Sequence, residues 1–181
     1  MKPSILIPGL FIFFLLGAAN PATALSTVVR QAAAPDTSDD PVFFLDGVRM
    51  NKDSLTTVNP NEIAAIDIYK DSNAVRLAGP EGVNGVVFIT TKHFARNKYW
   101  HLFSSHSAAY RKAVPSPEAD STVTYVLNGK VLSKDIEGGL FVIEPGDFRD
   151  LQVIDAAALN SQYGLTGNRR GVIIKTEPAK K

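Results

Sequence analysis

The chain contains no cysteine among its 181 residues. Without a thiol, neither a disulfide framework nor lipid attachment at a cleavage-site cysteine is possible. We therefore expect the mature chain to be stabilised by burial of apolar surface alone.

Long hydrophobic runs are also scarce, and the single clear one extends from Ile5 to Ala19. It follows Lys2 and ends at Ala22-Thr23-Ala24, so it has the charged start, apolar middle and small-residue cleavage site of a secretory signal peptide. The alternative is a retained membrane anchor, but a spanning helix needs about 20 apolar residues, and Pro8 and Gly9 interrupt this run. The sequence predicts an exported protein that is cleaved after residue 24.

An excess of charge of either sign is missing as well. The chain has 19 basic and 18 acidic residues, and Lys2 is the only charged group within residues 1–24. Signal removal therefore leaves a net charge of zero, which argues against a generic nucleic-acid binder.

What the chain does have is an internal repeat. The segment Pro41 to Lys92 recurs in degenerate form at Val123 to Glu177. Three blocks match, with numbering offsets of 82, 85 and 86: FFLDG with YVLNG, Pro60–Tyr69 with Pro145–Ile154, and GVVFIT with GVIIKT. The offset changes between the blocks, where insertions in surface loops cost little. We predict two small tandem domains.

The repeat divides the chain into six predicted segments. These are a signal peptide (1–24), a flexible leader (25–40), a first domain (41–92), an aromatic-rich linker (93–120), a degenerate second domain (121–177) and a tail (178–181). Each domain is close to the lower size limit for an independent core, so we expect the two copies to pack against each other or against a partner.

Turn chemistry predicts the elements of the first copy. Asp46-Gly47 after an apolar run is a hairpin signal, and Asn59-Pro60 is typical of an N-cap followed by one helical turn. A strand with one apolar face then includes Ile66 and Ile68, and a short helix spans 73–77. The three glycines at 79, 82 and 85 precede the last strand, whereas phosphate loops follow a strand, so we predict turn roles for Gly82 and Gly85.

The second copy predicts the same order of elements, with Asn128-Gly129 at the hairpin and Gly171 opening the last strand. Its helical segments are predicted at Pro145–Phe148 and Ala156–Tyr163. The linker aromatics should dock onto a domain surface, with Ser107 capping a short helix. The predicted fold class is α+β, with a mixed sheet and two short helices in each domain.

The strings PVFFLDGV, NPNEIAAIDIYKD and GVNGVVFITTK, taken together in this order, resemble the plug domain of TonB-dependent outer-membrane receptors. The resemblance covers about fifty residues well and a further fifty weakly. Family plugs commonly carry Tyr-Gly-x-x-Gly before the last strand, whereas this chain has Leu77-Ala78-Gly79-Pro80-Glu81-Gly82 in copy one. A receptor barrel would need roughly two hundred strand residues. We therefore expect a plug-like protein without transport capability of its own.

The resemblance implies a non-enzymatic binding or adaptor protein in the periplasm, or at the outer membrane, of a Gram-negative bacterium. Its expected partner is a cell-envelope protein such as a receptor, a sensor or a peptide. Candidate contact residues are Arg49, Asp67 and Tyr69. We predict no catalytic, cofactor or metal residue.

Two alternatives remain open. The first is a small periplasmic enzyme or metal protein that uses His93, His101 and His106 of the linker, although their spacing matches no common zinc pattern. The second is a structural remnant of a receptor gene that has lost its partner.

Overall fold

The first half of the structure contains one four-stranded sheet. A computed structural model describes residues 39–177 of the chain, so the predicted signal peptide, most of the leader and the tail lie outside the described residues. The strands are β1 (Val42–Leu45), β2 (Val48–Met50), β3 (Ile63–Tyr69) and β4 (Val86–Thr91). Helix α1 (Asp71–Ala78) and three 3-10 helices at Lys52–Thr57, Pro60–Glu62 and Gly79–Asn84 connect them.

The second half contains a second sheet, preceded by two helices. Helices α2 (Lys92–His106) and α3 (Ala108–Ala113) follow β4, and a 3-10 helix at Pro117–Thr122 leads into the sheet. The sheet consists of β5 (Val123–Leu127), β6 (Lys130–Val131), β7 (Phe148–Ile154) and β8 (Arg170–Thr176). Helices α4 (Ile136–Phe141) and α5 (Ala156–Tyr163) lie on either side of β7 in the sequence.

The two sheets have the same topology. Their strand orders are β2-β1-β4-β3 and β6-β5-β8-β7, and in each sheet the two central strands are parallel while both edge strands are antiparallel. Both edge strands β3 and β7 also carry an irregularity at the same place, near Ala64 and Arg149. The predicted α+β class with two mixed sheets is confirmed.

The predicted alignment of the last strands was wrong by one residue. Val86 pairs with Tyr69, and Gly171 pairs with Ile154, so β4 and β8 are related by the same offset of 85 as β3 and β7. Gly171 therefore corresponds to Val86 and not to Gly85. A one-residue slip moves every side chain to the other face of the sheet. A Cβ at Gly171 would lie 2.7 Å from a methyl group of Leu159, so glycine leaves room at this position for the Leu159 side chain.

The predicted helical turn at Pro145–Phe148 was also misplaced. The chain turns at 145–147, Phe148 already belongs to β7, and the helix of this connection is α4. Helix α4 forms there because Ile136 and Leu140 pack into the core of the second half. The position of this helix depends on tertiary burial. The alignment of Pro145 with Pro60 contains no information about burial.

The segment predicted as a linker forms part of the core. Tyr99, Phe103 and Tyr110 of helices α2 and α3 are fully buried and pack with Tyr125 of the second sheet. Ser107 accepts a hydrogen bond from the backbone amide of Tyr110 at 3.1 Å and so caps α3 as expected. The helices cover one face of the second sheet, whereas α5 covers the other face through Leu159.

The first sheet has a smaller core. Its buried cluster consists of Val42, Val86 and Ala74, with Phe44, Ala78 and Phe88 packed against it. Helix α1 supplies Ala74 and Ala78 and covers one face of this sheet. Both sheets belong to one compact unit.

Candidate functional site

Strand β3 places the two candidate residues Asp67 and Tyr69 on one face of the first sheet. The Asn59 side chain accepts a hydrogen bond from the Asn61 amide at 3.0 Å, and Pro60 begins the 3-10 turn that leads into the strand. Side chains then alternate along the strand, so Asp67 and Tyr69 share the α1 face with Phe88, while Ile66 and Ile68 point the other way.

A groove of about 390 Å³ lies beside Asp67 and Tyr69, and we call it the β3 groove. Side chains from four other elements complete its walls, namely Arg76 and Leu77 of α1, Phe88 and Thr90 of β4, Phe94 of α2 and Phe141 of α4. The groove therefore forms where the first sheet meets the two helices α2 and α4.

Aromatic rings line the β3 groove. Phe88 stacks on Phe44 with ring centroids 4.8 Å apart and meets the edge of Tyr69 at 5.8 Å. Phe94 and Phe141 form a second pair at 6.2 Å. Leu77 and Phe94 are 44 % and 39 % exposed. Exposed apolar surface that converges on a concavity is typical of a site that binds a partner or ligand.

One acidic and one basic group border the groove. The Arg76 guanidinium donates to the Asn73 side chain at 3.3 Å. Asp67 forms no ion pair with any of residues 39–177. The groove thus combines an apolar floor with an exposed carboxylate that is free to meet a cation.

Arg49, the third candidate contact residue, lies at the opposite edge of the first sheet. It belongs to β2 and forms an ion pair with Glu81. It lines a separate cavity of about 300 Å³, in which Lys52 also pairs with Asp40, at 2.6 Å. Because both basic groups there, Arg49 and Lys52, are already paired, this polar cavity is less suited to a partner than the β3 groove. The structure brings Asp67 and Tyr69 together but not Arg49.

The predicted hairpin residues adopt the same backbone conformation in both copies. Asp46 and Gly47 have φ values of 50° and 81°, and Asn128 and Gly129 have values of 49° and 82°. Positive φ at both central positions defines the turn that best matches the twist of the paired strands. These four residues shape the hairpins and lie outside the walls of the groove, apart from Gly47, which touches its rim.

The glycines before β4 have two different structural roles. Gly85 has φ of 104° and donates from its amide to the Gly82 carbonyl oxygen at 2.9 Å. Gly82 does not need positive φ, but any Cβ there would overlap the carbonyl group of Ala74. The segment closes helix α1 onto the strand.

A buried polar cluster lies in the second half. The Tyr110 and Tyr125 hydroxyl groups are 2.9 Å apart, and the Tyr125 hydroxyl donates to the Asp120 carboxylate at 2.6 Å. The Tyr99 hydroxyl is buried beside Asp120 and interacts with its carboxylate. Burial raises the pKa of Tyr99, Tyr110 and Tyr125 and also that of Asp120. The tyrosines remain protonated, which suits hydrogen-bond donors in a core and not general bases.

The three linker histidines do not converge. His93 contacts Asn97 at the start of α2, His101 lies beside Trp100, and the His106 ring packs on Phe148. Across residues 39–177, no group of three or more His, Asp or Glu side chains is arranged to hold a metal ion.

Part of the chain is similar in sequence to TonB-dependent receptors. The chain is 34 % identical over 73 residues to TonB-dependent receptor P26 of Formosa agariphila, and 31 % identical over 71 residues to TonB-dependent receptor SusC of Bacteroides thetaiotaomicron. Its partial homologues are TonB-dependent receptors. These matches cover 40 % and 35 % of the chain, and a 26 % identical match to receptor P3 of F. agariphila covers 59 %.

The chain spans only 7 % to 10 % of the length of these TonB-dependent receptors. No family model matches it, and no solved structure does. The partial similarity is consistent with the plug resemblance read from the three sequence strings. Within the described residues, no helix combines the length and apolarity needed to cross a bilayer.

The sequence did not predict most of the groove residues. Leu77, Phe94 and Phe141 come from three different helices, and no local pattern around them distinguishes a groove wall from a core position. The sequence did indicate one part of the groove, because the alternation of apolar and polar residues along β3 places Asp67 and Tyr69 on a common face.

Proposed function

We propose that the chain is an exported, non-enzymatic binding or adaptor protein of the bacterial cell envelope that holds a partner protein in the β3 groove. The observation that carries this proposal is the cluster of exposed apolar side chains, Tyr69, Leu77 and Phe94, around a concave site with a free carboxylate. The proposal assigns binding to the chain, and neither transport nor catalysis.

The dimensions of the groove support a protein partner. A volume of about 390 Å³ lies at the small end of the range for ligand pockets and accommodates one or two large side chains. Aromatic residues such as Tyr69 and Phe94 commonly provide most of the binding energy at protein interfaces, because they bury large area with few rotatable bonds. A partner that inserts an apolar side chain would cover Leu77 and both rings.

The proposed location has two supports. The N-terminal residues have the pattern of a secretory signal peptide. The partial homologues are TonB-dependent receptors, which makes a plug-related envelope protein of a Gram-negative bacterium a reasonable expectation. Within the envelope, the partner would be a receptor, a sensor or an extended peptide.

Site-specific photocrosslinking in intact envelopes tests the proposal. A photoreactive phenylalanine analogue replaces Tyr69 in one variant and Lys130, an exposed residue of β6, in the control variant. We expect a defined crosslinked product from position 69 that is absent from position 130, with mass spectrometry identifying the partner.

A second variant links the product to the groove. Leu77→Asp places a charge in the apolar wall and should reduce crosslinking from position 69 at least about tenfold if the partner buries this wall. Because Leu77 is 44 % exposed, the substitution should leave the fold intact, which circular dichroism would verify. Equal products from both positions, or no product from position 69, would contradict the proposed function.

A further inference from the structure

Two residues of the edge strand β3 direct their backbone N–H and C=O groups away from the first sheet. Val42 donates from its amide to Gly85 O at 3.0 Å, and Asp46 donates to Ile89 O at 2.9 Å. The N–H and C=O groups of one strand residue point to the same side and alternate along the strand. The backbone groups of Gly85 and Ile89 therefore point toward β1. Those of Val86 and Phe88, which alternate with them, point toward β3.

The pairing of β3 with β4 extends this alternation to the edge of the sheet. Asp67 pairs with Phe88, and Tyr69 pairs with Val86, so the backbones of Asp67 and Tyr69 turn toward β4. The backbones of the intervening residues, Ile66 and Ile68, consequently turn outward from the edge strand. Outward N–H and C=O groups of this kind are a template for an added strand.

The side chains at this edge are open as well. Ile66 is 55 % exposed and Ile68 is 64 % exposed. At the other end of the strand, helix α4 closes the edge, because a Cβ at Gly138 would lie 2.5 Å from the Ala64 carbonyl oxygen. Residues 63–65 are accordingly half-buried and residues 66–70 are exposed. The open edge has the length of a short strand.

Strand β7, the equivalent of β3 in the second copy, is covered where β3 is open. Leu151 and Val153 of β7 correspond to Ile66 and Ile68, and both pack against the core cluster beneath helix α3. Strand β7 also carries Arg149, which donates to Glu177 at 2.9 Å. Covering elements are one usual protection of an edge strand, and among residues 39–177 none buries β3 from residue 66 onward. Asp67 is the one charge that this part of the strand carries.

We propose that an extended segment of a partner protein adds to β3 as a fifth strand, with two apolar residues opposite Ile66 and Ile68 and a basic residue between them, opposite Asp67. Residues that face each other across a strand pair lie on the same face of the sheet. The apolar residues therefore cover the two isoleucines, and the basic residue meets the free Asp67 carboxylate at the rim of the β3 groove, with its aliphatic stem along Tyr69. This inference rests on the proposed binding function and specifies the partner's chemistry.

The probe is a soluble heptapeptide, acetyl-GTVRVTG-amide, added to the ¹⁵N-labelled full chain. Residue-resolved amide hydrogen exchange is the measurement. We expect the peptide to slow exchange of the Ile66 and Ile68 amides at least about tenfold near saturation, because they gain partners. Exchange of the Asp67 and Tyr69 amides should not change, because these already bond to β4. Side-chain docking in the groove alone would not produce this alternation.

A charge swap tests the Asp67 assignment. The control peptide acetyl-GTVEVTG-amide should bind about two- to fivefold more weakly than the arginine peptide, which is the range for one cross-strand ion pair. The variant Asp67→Lys should reverse the order of the two peptides. Asp67 is exposed, so the variant should fold as the original chain does, and the exchange pattern of β4 provides the check.

Three results would overturn strand addition: no slowing at Ile66 and Ile68 with either peptide, equal binding of both peptides, or slowing without peptide that grows with protein concentration. The last result would assign the edge to a second copy of the chain. If crosslinking from position 69 succeeds while the peptides fail, the binding function stands and the added strand does not. If the peptides produce the alternating protection but crosslinking from position 69 gives no product, the added strand stands and the proposed binding function in the envelope does not.

Discussion

The Asp46 carboxylate accepts two hydrogen bonds from Thr91, one from the backbone amide at 2.7 Å and one from the hydroxyl group at 2.8 Å. These bonds tie the first hairpin turn to the end of β4. The second copy has the same link, since Asn128 accepts from the Thr176 amide at 2.9 Å and donates to its hydroxyl oxygen at 2.9 Å. The exchange of aspartate for asparagine between the copies thus preserves the link and reverses the direction of one hydrogen bond.

Asp46→Ala should destabilise the protein by about 1–3 kcal/mol, because it leaves a part-buried amide and hydroxyl of Thr91 without their acceptor. Urea unfolding followed by circular dichroism measures this change. Asn128→Asp is the matched control, since a carboxylate at this turn can accept both bonds from Thr176. We expect its effect to stay within about 0.5 kcal/mol. A loss of similar size in both variants would show that the link does not act as described.

Gly82→Ala should destabilise the protein by about 1–3 kcal/mol or more. The added methyl group would overlap the Ala74 carbonyl group, and both residues are buried, so helix α1 would have to move away from the sheet. Gly146→Ala is the control, because no atom lies within 4 Å of a Cβ there. Thermal unfolding of the two variants should separate them clearly, and equal midpoints would contradict the close packing at Gly82.

Phe103→Ala should cost about 3–5 kcal/mol of unfolding free energy, the range for removing a buried aromatic ring. Phe103 is fully buried and contacts the rings of Tyr99, Tyr110 and Phe148. Phe94→Ala, in the first turn of α2, should cost less than about half as much because 39 % of that residue is already exposed. Chemical unfolding would compare them, and a small loss for Phe103→Ala would mean that α2 is dispensable for the core.

The parts of the fold that the sequence predicted are those encoded within a few residues. Asp46-Gly47 and Asn128-Gly129 specify their turns locally, and Asn59-Pro60 specifies the turn before β3. Internal repetition then extended the topology of one copy to the other. These features need no information about what packs on the sheets.

The features that sequence reasoning missed depend on contacts between distant residues. The β3 groove joins Leu77 to Phe141, and the position of α4 depends on burial of Leu140 beneath α2. The alignment of Gly171 was wrong because the local string resembled that around Gly85, whereas the strand pairing is fixed by Ile154 and Leu159. Tertiary packing overrides local similarity in all three cases.

The half-buried Asp120 predicts how stability depends on pH. Burial raises its pKa above the ordinary value of 3.8, against the lowering effect of the hydrogen bond from Tyr125. The folded state therefore binds a proton more readily than the unfolded state. The resulting stabilisation is complete below pH 3.8 and disappears as the pH rises through the raised pKa. Asp120→Asn keeps an acceptor for Tyr125, so the stability of the original chain relative to this variant should increase as the pH falls from 7 to 4.

Glu118 provides a control of opposite sign in the same 3-10 helix. A hydrogen bond from Ser116 lowers the pKa of Glu118 below its ordinary value of 4.5. Its contribution is present above pH 4.5 and is lost as the pH falls through the lowered pKa. The stability of the original chain relative to Glu118→Gln should therefore decrease on acidification. Urea unfolding at pH 4 and pH 7 measures both differences, and slopes of the same sign for the two variants would refute the assignment of the pH dependence to burial of Asp120.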